Sequence, residues 1–409
     1  MIHMQKEEID IEFLNIDEER DSEDFRRIPS MTPFNDKVID YFDSLSKILR
    51  GVPEARKYPD IATFAFYCRK ANLVQMKNKF VGKEEPRLGR GLVFHIAPSN
   101  VPVNFAYSLL AGLLAGNSNI VRVPSKDFEQ VRIIVDAVMQ LSKQERHLEI
   151  SKRIVLVRYD RTSYATGDFS SKCDVRIIWG GDETIRQIRE NILPPRSFDI
   201  TFADRYSICV VNADNYVQDE RYEGIATGFF NDTYLMDQNA CTSPHLLIWI
   251  GKKENVEKGK EIFWDSLHNL VKEHYQIQPI IAIDKLDNFL NQAVEMHGVK
   301  LIPPRDNLLW RVEIEDLQVN MDSFSSRGGY FLEYHAKNLE EISRIINRKY
   351  QTLVYYGISE EELENFVINS APSGIDRIVP IGKSMDFSMI WDGYNLIESL
   401  SRTVQIIGK

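Results

Sequence analysis

The stretch Leu92-Val93-Phe94-His95-Ile96 decides the fold, together with the residues that follow it. It is apolar except for one histidine and predicts a short strand buried on both faces. Residues 106–115 then predict a helix, which Gly116-Asn117 ends, and residues 119–123 predict a second strand. Short buried strands that alternate with helices indicate an α/β protein with a parallel sheet covered on both sides.

The alternation continues downstream. Its predicted strands cover residues 154–157, 175–179, 199–202 and 208–211, the last two closing the block. A helix over residues 127–141 is predicted to open with a capping box formed by Asp127 and Gln130. Upstream, residues 35–81 have helical apolar spacing, whereas residues 1–35 are charged and aperiodic and predict an arm. Ligands in such sheets bind at the carboxyl ends of the strands.

A second α/β pattern begins near residue 214. It holds predicted strands at residues 246–250 and 280–283, with Pro279 just ahead of the latter, where a proline is tolerated at a strand's first residue. The tail, residues 402–407, alternates like a strand without an obvious partner nearby. We therefore expect it to complete a sheet in another subunit, which makes the protein a homo-oligomer.

Composition excludes several classes of protein. Of 409 residues, 43% are hydrophobic and 27% charged, as in ordinary globular proteins, and a net charge of −10 argues against nucleic-acid binding. No apolar run approaches the roughly 20 residues of a membrane span, and the acidic N-terminus lacks a signal pattern. Four scattered cysteines without a CxxC pair and eight histidines without HExxH spacing predict no metal site. We expect a cytoplasmic protein.

Cys241 is the first candidate for chemistry. It follows a helix-compatible segment, stands among small polar residues and precedes an apolar strand, so its thiol is reachable. A thiolate nucleophile needs positive or dipolar help at neutral pH. A buried structural cysteine fits the local sequence equally well. His245, four residues later, is either an influence on the thiol or a polar residue at a strand edge.

Polar groups also follow the strands of the first block. Asn100, in the segment 98–102, could donate to an oxyanion or satisfy its own turn. Arg122 and Lys126 flank Pro124 and Ser125, as suits either a phosphate or a solvated turn. The run Gly180-Gly181-Asp182 lets a backbone approach a cofactor, but there is no GxGxxG fingerprint.

Together these pieces resemble the aldehyde dehydrogenase superfamily and, within it, the LuxC-type acyl-CoA reductases. The resemblance runs in order from about residue 87 to the C-terminus. Five motifs carry it. They are a Pro-x-Asn-x-Pro segment at 96–102, a Gly-Asn turn and basic strand at 115–122, a Gly turn at 179–182, a Gln-Asn-Ala-Cys nucleophile segment at 238–241 and a Pro-Ile-Gly segment at 380–382. One such motif is weak evidence, but five in order are strong.

The resemblance implies roles for these residues. Cys241 is the expected nucleophile, the Asn100 amide and the Cys241 N–H the oxyanion donors, and His245 a possible auxiliary. The expected cofactor-binding residues are Pro98, Ser99, Arg122, Pro124, Ser125, Lys126, Gly180, Gly181 and Asp182. Ser125 replaces the acidic residue that binds the adenosine 2′-hydroxyl, so a 2′-phosphate is tolerated and NADPH is favoured over NADH.

The implied architecture is aldehyde-dehydrogenase-like, with a Rossmann-type cofactor domain, an α/β catalytic domain and a C-terminal oligomerisation strand. The expected divisions are residues 1–84 (arm and helices packing on the cofactor domain), 85–205 (NADP-binding), 206–370 (catalytic) and 371–409 (C-terminal segment and strand).

Two departures from the superfamily bear on activity. The position of the glutamate that activates water in oxidising members falls within residues 200–204, with Phe202 as the best match, so an acyl-enzyme would survive to accept hydride. The glutamate that holds the nicotinamide ribose has no clear counterpart near residues 325–330. The expected function is NADPH-dependent reduction of an acyl thioester, such as acyl-CoA, to the aldehyde. The alternatives are an aldehyde or acyl-phosphate dehydrogenase and a non-redox acyl relay; the resemblance also allows an acyl-protein synthetase partner.

Overall fold

The fold consists of two compact units, one drawn from Met1–Ala203 with Tyr394–Lys409 and the other from Asp204–Gly393. The structure, a computed structural model, describes residues 11–16, 27–80 and 85–408. Most of the arm predicted over residues 1–35 therefore lies outside the described residues. Each unit is built around its own sheet.

The first unit holds a six-stranded sheet in the order β1-β5-β4-β3-β6-β7. Its strands are β1 Glu12–Phe13, β3 Leu92–Ile96, β4 Ser118–Arg122, β5 Ile154–Arg158, β6 Val175–Trp179 and β7 Phe198–Phe202, while β2 (Arg87–Gly89) lies in a separate pair. All pairings are parallel except that of β1 with β5. All five residues of β3 are buried. The chain order β5-β4-β3-β6-β7 is the doubly wound arrangement, which confirms the predicted Rossmann-type domain.

Helices cover this sheet. They are α1 Asp36–Gly51, α2 Pro59–Tyr67, α3 Lys70–Phe80, α4 Asn104–Leu114, α5 Glu129–Ser142, α6 Leu148–Ser151, α7 Ala165–Lys172 and α8 Asp182–Arg189. At the end of α4, Gly116 has a φ of +92°, and a Cβ there would lie 2.1 Å from the Met31 carbonyl oxygen. Only glycine fits this turn into β4.

The predicted capping box at α5 is wrong. The helix begins at Glu129, so the cap position falls on Phe128, whose side chain makes no capping hydrogen bond. Asp127 lies one residue too early to cap and instead pairs with Arg132 at 3.7 Å. A start one residue later thus converts the expected cap into a surface ion pair.

The second unit holds a seven-stranded sheet in the order β10-β11-β12-β9-β8-β13-β14, parallel except between β10 and β11. Its strands are β8 Tyr206–Asn212, β9 Pro244–Ile250, β10 Val299–Ile302, β11 Trp310–Ile314, β12 Tyr330–His335, β13 Tyr350–Tyr356 and β14 Arg377–Pro380; β15 (Ile390–Trp391) lies outside this sheet. Residues 208–211, expected to close the first block, therefore belong to this sheet. Alternate residues of β8 enter two separate hydrophobic clusters, so both faces are buried.

Five helices belong to this unit: α9 Ala213–Tyr216, α10 Tyr222–Thr233, α11 Lys253–His274, α12 Pro279–Glu295 and α13 Glu360–Ser370. The strand predicted over residues 280–283 is wrong, because these residues form the first turn of α12. Pro279 fits the first helical turn. Ile281 is 2% exposed whereas Ile283, which would share its face in a strand, is 64% exposed. Across the described ranges, no helix has both the length and the apolar character needed to cross a bilayer.

The C-terminal segment of the first unit contains β16 Tyr394–Asn395, α14 Leu396–Ser399 and β17 Ser401–Thr403. Contrary to expectation, β17 has a partner in its own chain, since it pairs antiparallel with β2. Arg87 fixes the pair by donating to Ser401 Oγ at 2.9 Å, Thr403 Oγ1 at 2.7 Å and the Glu398 carbonyl at 2.7 Å. Sequence reasoning missed β2 because three residues carry little periodicity.

Candidate active site

The first unit contains a cavity of about 140 Å³ where β3, β4 and β6 end. These neighbouring strands meet at the switch point of the sheet, the expected ligand position in such folds. The predicted site residues that line the cavity are Asn100, Pro98, Ser99, Arg122, Pro124, Ser125, Gly180 and Gly181. Lys126 and Asp182 do not belong to this lining.

The charge lining this cavity is positive. Arg122 and Arg161 line it, and no carboxylate does so among the described residues. The Arg122 guanidinium lies 4.7 Å from the Tyr159 ring centroid and donates to the Tyr159 carbonyl at 3.1 Å. Burial lowers the pKa of Arg122 from its usual value. An arginine guanidinium is nevertheless a cation in proteins. A fixed guanidinium without a competing carboxylate fits a phosphate group, so the lining suits a phosphorylated ligand.

Sequence reasoning missed Arg161 and Thr184, which also line the cavity. Arg161 follows the end of β5, at the edge of the sheet where β3 and β4 also end. Its position after a predicted strand was the available signal. Thr184 lies in the first turn of α8, behind the glycine pair.

A buried polar chain supports the cavity wall. Trp179 Nε1 donates to Ser108 Oγ at 3.1 Å, and Ser108 Oγ lies 2.7 Å from His95 Nδ1. His95 Nε2 in turn lies 3.0 Å from Asn119 Oδ1. Burial lowers the pKa of His95 to about 4, so the ring is neutral at pH 7, with one nitrogen donating and the other accepting. His95, the one polar residue in β3, is therefore a structural residue.

Phe202 occupies the place where the resemblance puts a water-activating glutamate. Its ring stacks on Trp179 with the centroids 3.7 Å apart, and it is 5% exposed. A phenyl ring accepts no proton, so this position supplies no general base.

The second unit contains a larger cavity of about 540 Å³, which includes Cys241 and His245 in its lining. Cys241 precedes β9, and the remaining lining comes from residues ahead of β8, β12 and β13 and from α12. The cavity therefore lies at the amino ends of these parallel strands, opposite to the expected edge. Helix α12 contributes Asp284, Asp287 and Asn288.

Cys241 is exposed, whereas the other three cysteines of the chain are buried. Its thiol nevertheless lies among protein atoms at the cavity wall, and this desolvation raises its pKa to about 11. The charges of Asp392 and Asp204 add to the increase, and its own backbone N–H and Arg205 offset part of it. In this structure, the groups that lower the pKa of Cys241 are therefore outweighed by desolvation and the nearby carboxylates.

His245 stacks on Tyr206 with the ring centroids 5.6 Å apart. Burial lowers the pKa of His245 to about 4, and the Ser326 backbone partly opposes this. The imidazole is therefore neutral at pH 7, and its buried Nδ1 has no hydrogen-bond partner within the described residues. A neutral ring does not stabilise a thiolate by charge.

Several polar residues of the larger cavity were not among the predicted site residues. They are Asp204, Arg205, Asn239, Asp284, Asp287, Asn288, Asp322, Ser325, Ser326, Arg327 and Lys349. Most lie in connections that no motif marks, and α12 was assigned in part to a strand. Within residues 11–16, 27–80 and 85–408, no group of three or more His, Cys, Asp or Glu side chains is placed to hold a metal ion.

The family model described as acyl-CoA reductase (LuxC) matches residues 73–403. The chain belongs to the LuxC family of acyl-CoA reductases. This LuxC-family chain is 22% identical over 302 residues to a long-chain acyl-protein thioester reductase of Aliivibrio fischeri, covering 73% of this chain and 60% of the relative. A protein of the same description from Vibrio harveyi is 23% identical over 328 residues, covering 78% and 64%. The LuxC-family chain thus spans less than two thirds of the length of these relatives.

Solved structures agree on the fold of this LuxC-family chain. Aldehyde dehydrogenase 21 from Physcomitrella patens has a TM-score of 0.63 at 12% identity, covering 90% of this chain and 85% of that one. A benzaldehyde dehydrogenase from Corynebacterium glutamicum has a TM-score of 0.60 at 13% identity, covering 93% and 86%. Such low identity supports the aldehyde dehydrogenase fold alone, as the resemblance predicted.

Proposed function

We propose that this protein reduces a long-chain acyl thioester to the aldehyde, with Cys241 as the nucleophile and NADPH as the reductant. Membership of the LuxC family supports the reaction class. The main structural support for this site is that Cys241 is exposed in the wall of a cavity of about 540 Å³, whereas the other three cysteines are buried. The names of the relatives favour an acyl group carried on a protein, and acyl-CoA is the simpler donor to test.

In the proposed reaction, the Cys241 thiol loses its proton and attacks the acyl carbonyl carbon. The tetrahedral adduct expels the carrier thiolate, which takes up a proton, and leaves a thioacyl group on Cys241. When bound, NADPH supplies the hydride that reduces this thioacyl carbon to a hemithioacetal. Release of the Cys241 thiolate then frees the aldehyde.

The resemblance assigns oxyanion stabilisation to the Asn100 amide and the Cys241 N–H. Removing such a donor typically costs about 3 kcal/mol of transition-state stabilisation. The cavity with Arg122, Ser125 and the glycine pair is the proposed NADPH site, because the described part of its lining offers cations and no carboxylate to a 2′-phosphate. His245 remains a possible auxiliary.

Phe202 supports reduction over hydrolysis. Without a base at that position, attack by water on the thioacyl group is slow. The thioacyl group then persists long enough to be reduced by hydride. An aldehyde dehydrogenase that releases the free acid needs such a base, so rapid acyl hydrolysis without NADPH would favour that alternative.

The deciding experiment combines the protein with palmitoyl-CoA and NADPH. Reduced-nicotinamide absorbance, aldehyde formation and intact mass are followed together. We expect NADPH loss with stoichiometric aldehyde, and an acyl adduct when NADPH is omitted. Cys241→Ala should abolish the adduct and turnover, while the control Cys68→Ala, at a buried thiol, should keep both.

Other outcomes separate the alternatives. An adduct on Cys241 without NADPH loss would indicate the non-redox relay. Turnover with an acyl phosphate, but with no thioester, would indicate the acyl-phosphate dehydrogenase. Persistent labelling of the Cys241→Ala variant at the wild-type rate would refute the nucleophile.

A further inference from the structure

The Cys241 turn, residues 237–243, begins in an unusual conformation. Asp237 and Gln238 have φ values of +51° and +61°, although neither is glycine. The left-handed region is disfavoured for L side chains and persists where surrounding contacts determine it. The contacts that hold these two residues therefore determine where the Cys241 turn lies.

Gln238 supplies most of those contacts. It is 1% exposed, and its Nε2 donates to the Pro244 carbonyl at 2.9 Å and the Tyr330 carbonyl at 3.0 Å. Its Oε1 accepts from the Gly329 N–H at 3.0 Å and the Tyr330 N–H at 3.2 Å. The carboxamide thus uses both donors and both acceptor sites, which is the full capacity of the group.

These partners lie where two neighbouring strands begin. Pro244 is the first residue of β9 and Tyr330 the first residue of β12, and β9 and β12 pair in parallel further along. Gly329 has a φ of +86°, and a Cβ there would lie 2.2 Å from Tyr234 Oη. Glycine is therefore required for the backbone N–H to reach Gln238.

The far side of the turn has its own anchors. Ser207 Oγ donates to the Cys241 carbonyl at 2.6 Å, and Ser243 Oγ donates to the Asp232 carbonyl at 2.8 Å. With Gln238 at its start, the seven-residue span from 238 to 244 is held at both ends. The four hydrogen bonds of the Gln238 side chain all go to backbone atoms of Pro244, Gly329 and Tyr330 and not to the thiol, so we expect its effect on Cys241 to pass through the backbone.

We propose that Gln238 is a positioning residue for acyl transfer, whose carboxamide locks the Cys241 turn against β9 and β12 and so orients the thiol. The proposal rests on the proposed role of Cys241 as nucleophile. Small misplacements of a reacting group cost about 100-fold in rate. Loss of the carboxamide should therefore slow acyl transfer more than it affects reactions that need no fixed geometry.

The test compares Gln238→Met with Gln218→Met, the same substitution at an exposed glutamine of the same unit. Single-turnover acylation of Cys241 by saturating palmitoyl-CoA is measured beside alkylation by iodoacetamide, a small reagent with free approach. We expect Gln238→Met to lower acylation about 10- to 100-fold while alkylation changes by less than about threefold. Gln218→Met should alter neither rate.

A second variant, Gln238→Glu, provides the test if Gln238→Met does not fold. Gln238→Glu keeps the shape but places a carboxylate against the carbonyls of Pro244 and Tyr330. The protonated acid still donates to one of them, so acylation relative to wild type should fall as the pH rises from 5 to 8. Wild-type acylation in either Gln238 variant, per folded molecule, would overturn the positioning role, as would equal loss of acylation and alkylation. If wild-type protein takes no acyl group while iodoacetamide still alkylates Cys241, the proposed function fails instead.

Discussion

Cys241 combines an exposed position with a thiol that stays protonated at neutral pH. Desolvation and the nearby carboxylates of Asp392 and Asp204 raise its pKa to about 11. At pH 7, only a small fraction of the protein molecules therefore carries Cys241 as a thiolate. Any acyl transfer through this cysteine then depends on a deprotonation step.

The pKa of Cys241 predicts how its reactivity depends on pH. The thiolate is the nucleophile, so alkylation by iodoacetamide should accelerate about tenfold for each pH unit from 7 to 10, without a plateau. Mass spectrometry of the labelled protein measures the rate, with Cys241→Ala as the blank. A plateau below pH 8 would show that the thiol has a far lower pKa.

Arg122 and Ser125 carry the predicted preference for NADPH. Arg122→Ala should weaken NADPH binding about tenfold or more, because it removes a fixed cation from the cavity lining. Ser125→Glu should reverse the preference toward NADH, since a carboxylate repels the 2′-phosphate. Fluorescence titration with both nucleotides checks this. Lys126→Ala, outside the lining, should have the smaller effect; an equal effect would contradict the assignment.

At the scale of elements, α12 is a case in which a local sequence pattern predicted a strand where the structure has a helix. Pro279 and the isoleucines after it fit the start of a strand as well as a helix, because both tolerate proline there. Burial of Ile281 beside exposed Ile283 decides for the helix. That helix in turn brings Asp284, Asp287 and Asn288 to the cavity that contains Cys241.

The same two isoleucines provide a matched test. Ile281→Ala should lower the free energy of unfolding by about 2–5 kcal/mol, because it empties a buried site. Ile283→Ala should change it by less than about 0.5 kcal/mol, since the side chain is exposed and alanine favours a helix. Urea unfolding measures both. Comparable losses in the two variants would contradict the helix assignment.

At the scale of the whole molecule, residues near the C-terminus complete the first unit. Strand β17 pairs with β2, and Asn117 Nδ2 donates to the Leu400 carbonyl at 2.9 Å. The start of the C-terminal segment is therefore part of the fold. Beyond it, Ile406 and Ile407 are 76% and 87% exposed. The homo-oligomer expected from the resemblance remains a prediction for these later residues.

Arg87 offers a test of this closure. Arg87→Ala removes hydrogen bonds to Ser401, Thr403 and Glu398 and should lower stability by about 1–3 kcal/mol. Arg402→Ala, at an exposed neighbour, should stay within about 0.5 kcal/mol. Thermal unfolding measures both variants. An Arg87→Ala protein as stable as Arg402→Ala would show that the pairing contributes little.

Sequence patterns predicted β3 to β7 of the first sheet, the family resemblance and Cys241 as the candidate nucleophile, but they missed β1 and wrongly added residues 208–211 to that sheet. Strands of the first sheet carry continuous apolar runs, and the motifs follow them directly, so local pattern was enough. The structure shows that Pro98, Arg122 and Gly180 line one cavity together with Arg161, which was not predicted from the sequence.

The surroundings of Cys241 depend on the folded chain and could not be predicted from its local sequence. Its raised pKa comes first from desolvation by the protein packed around it and then from the charges of Asp392 and Asp204, which the fold brings near it. The pairing of β17 with β2 likewise joins residues more than three hundred positions apart. Charge and burial act through space, and neither leaves a periodic signal in the sequence.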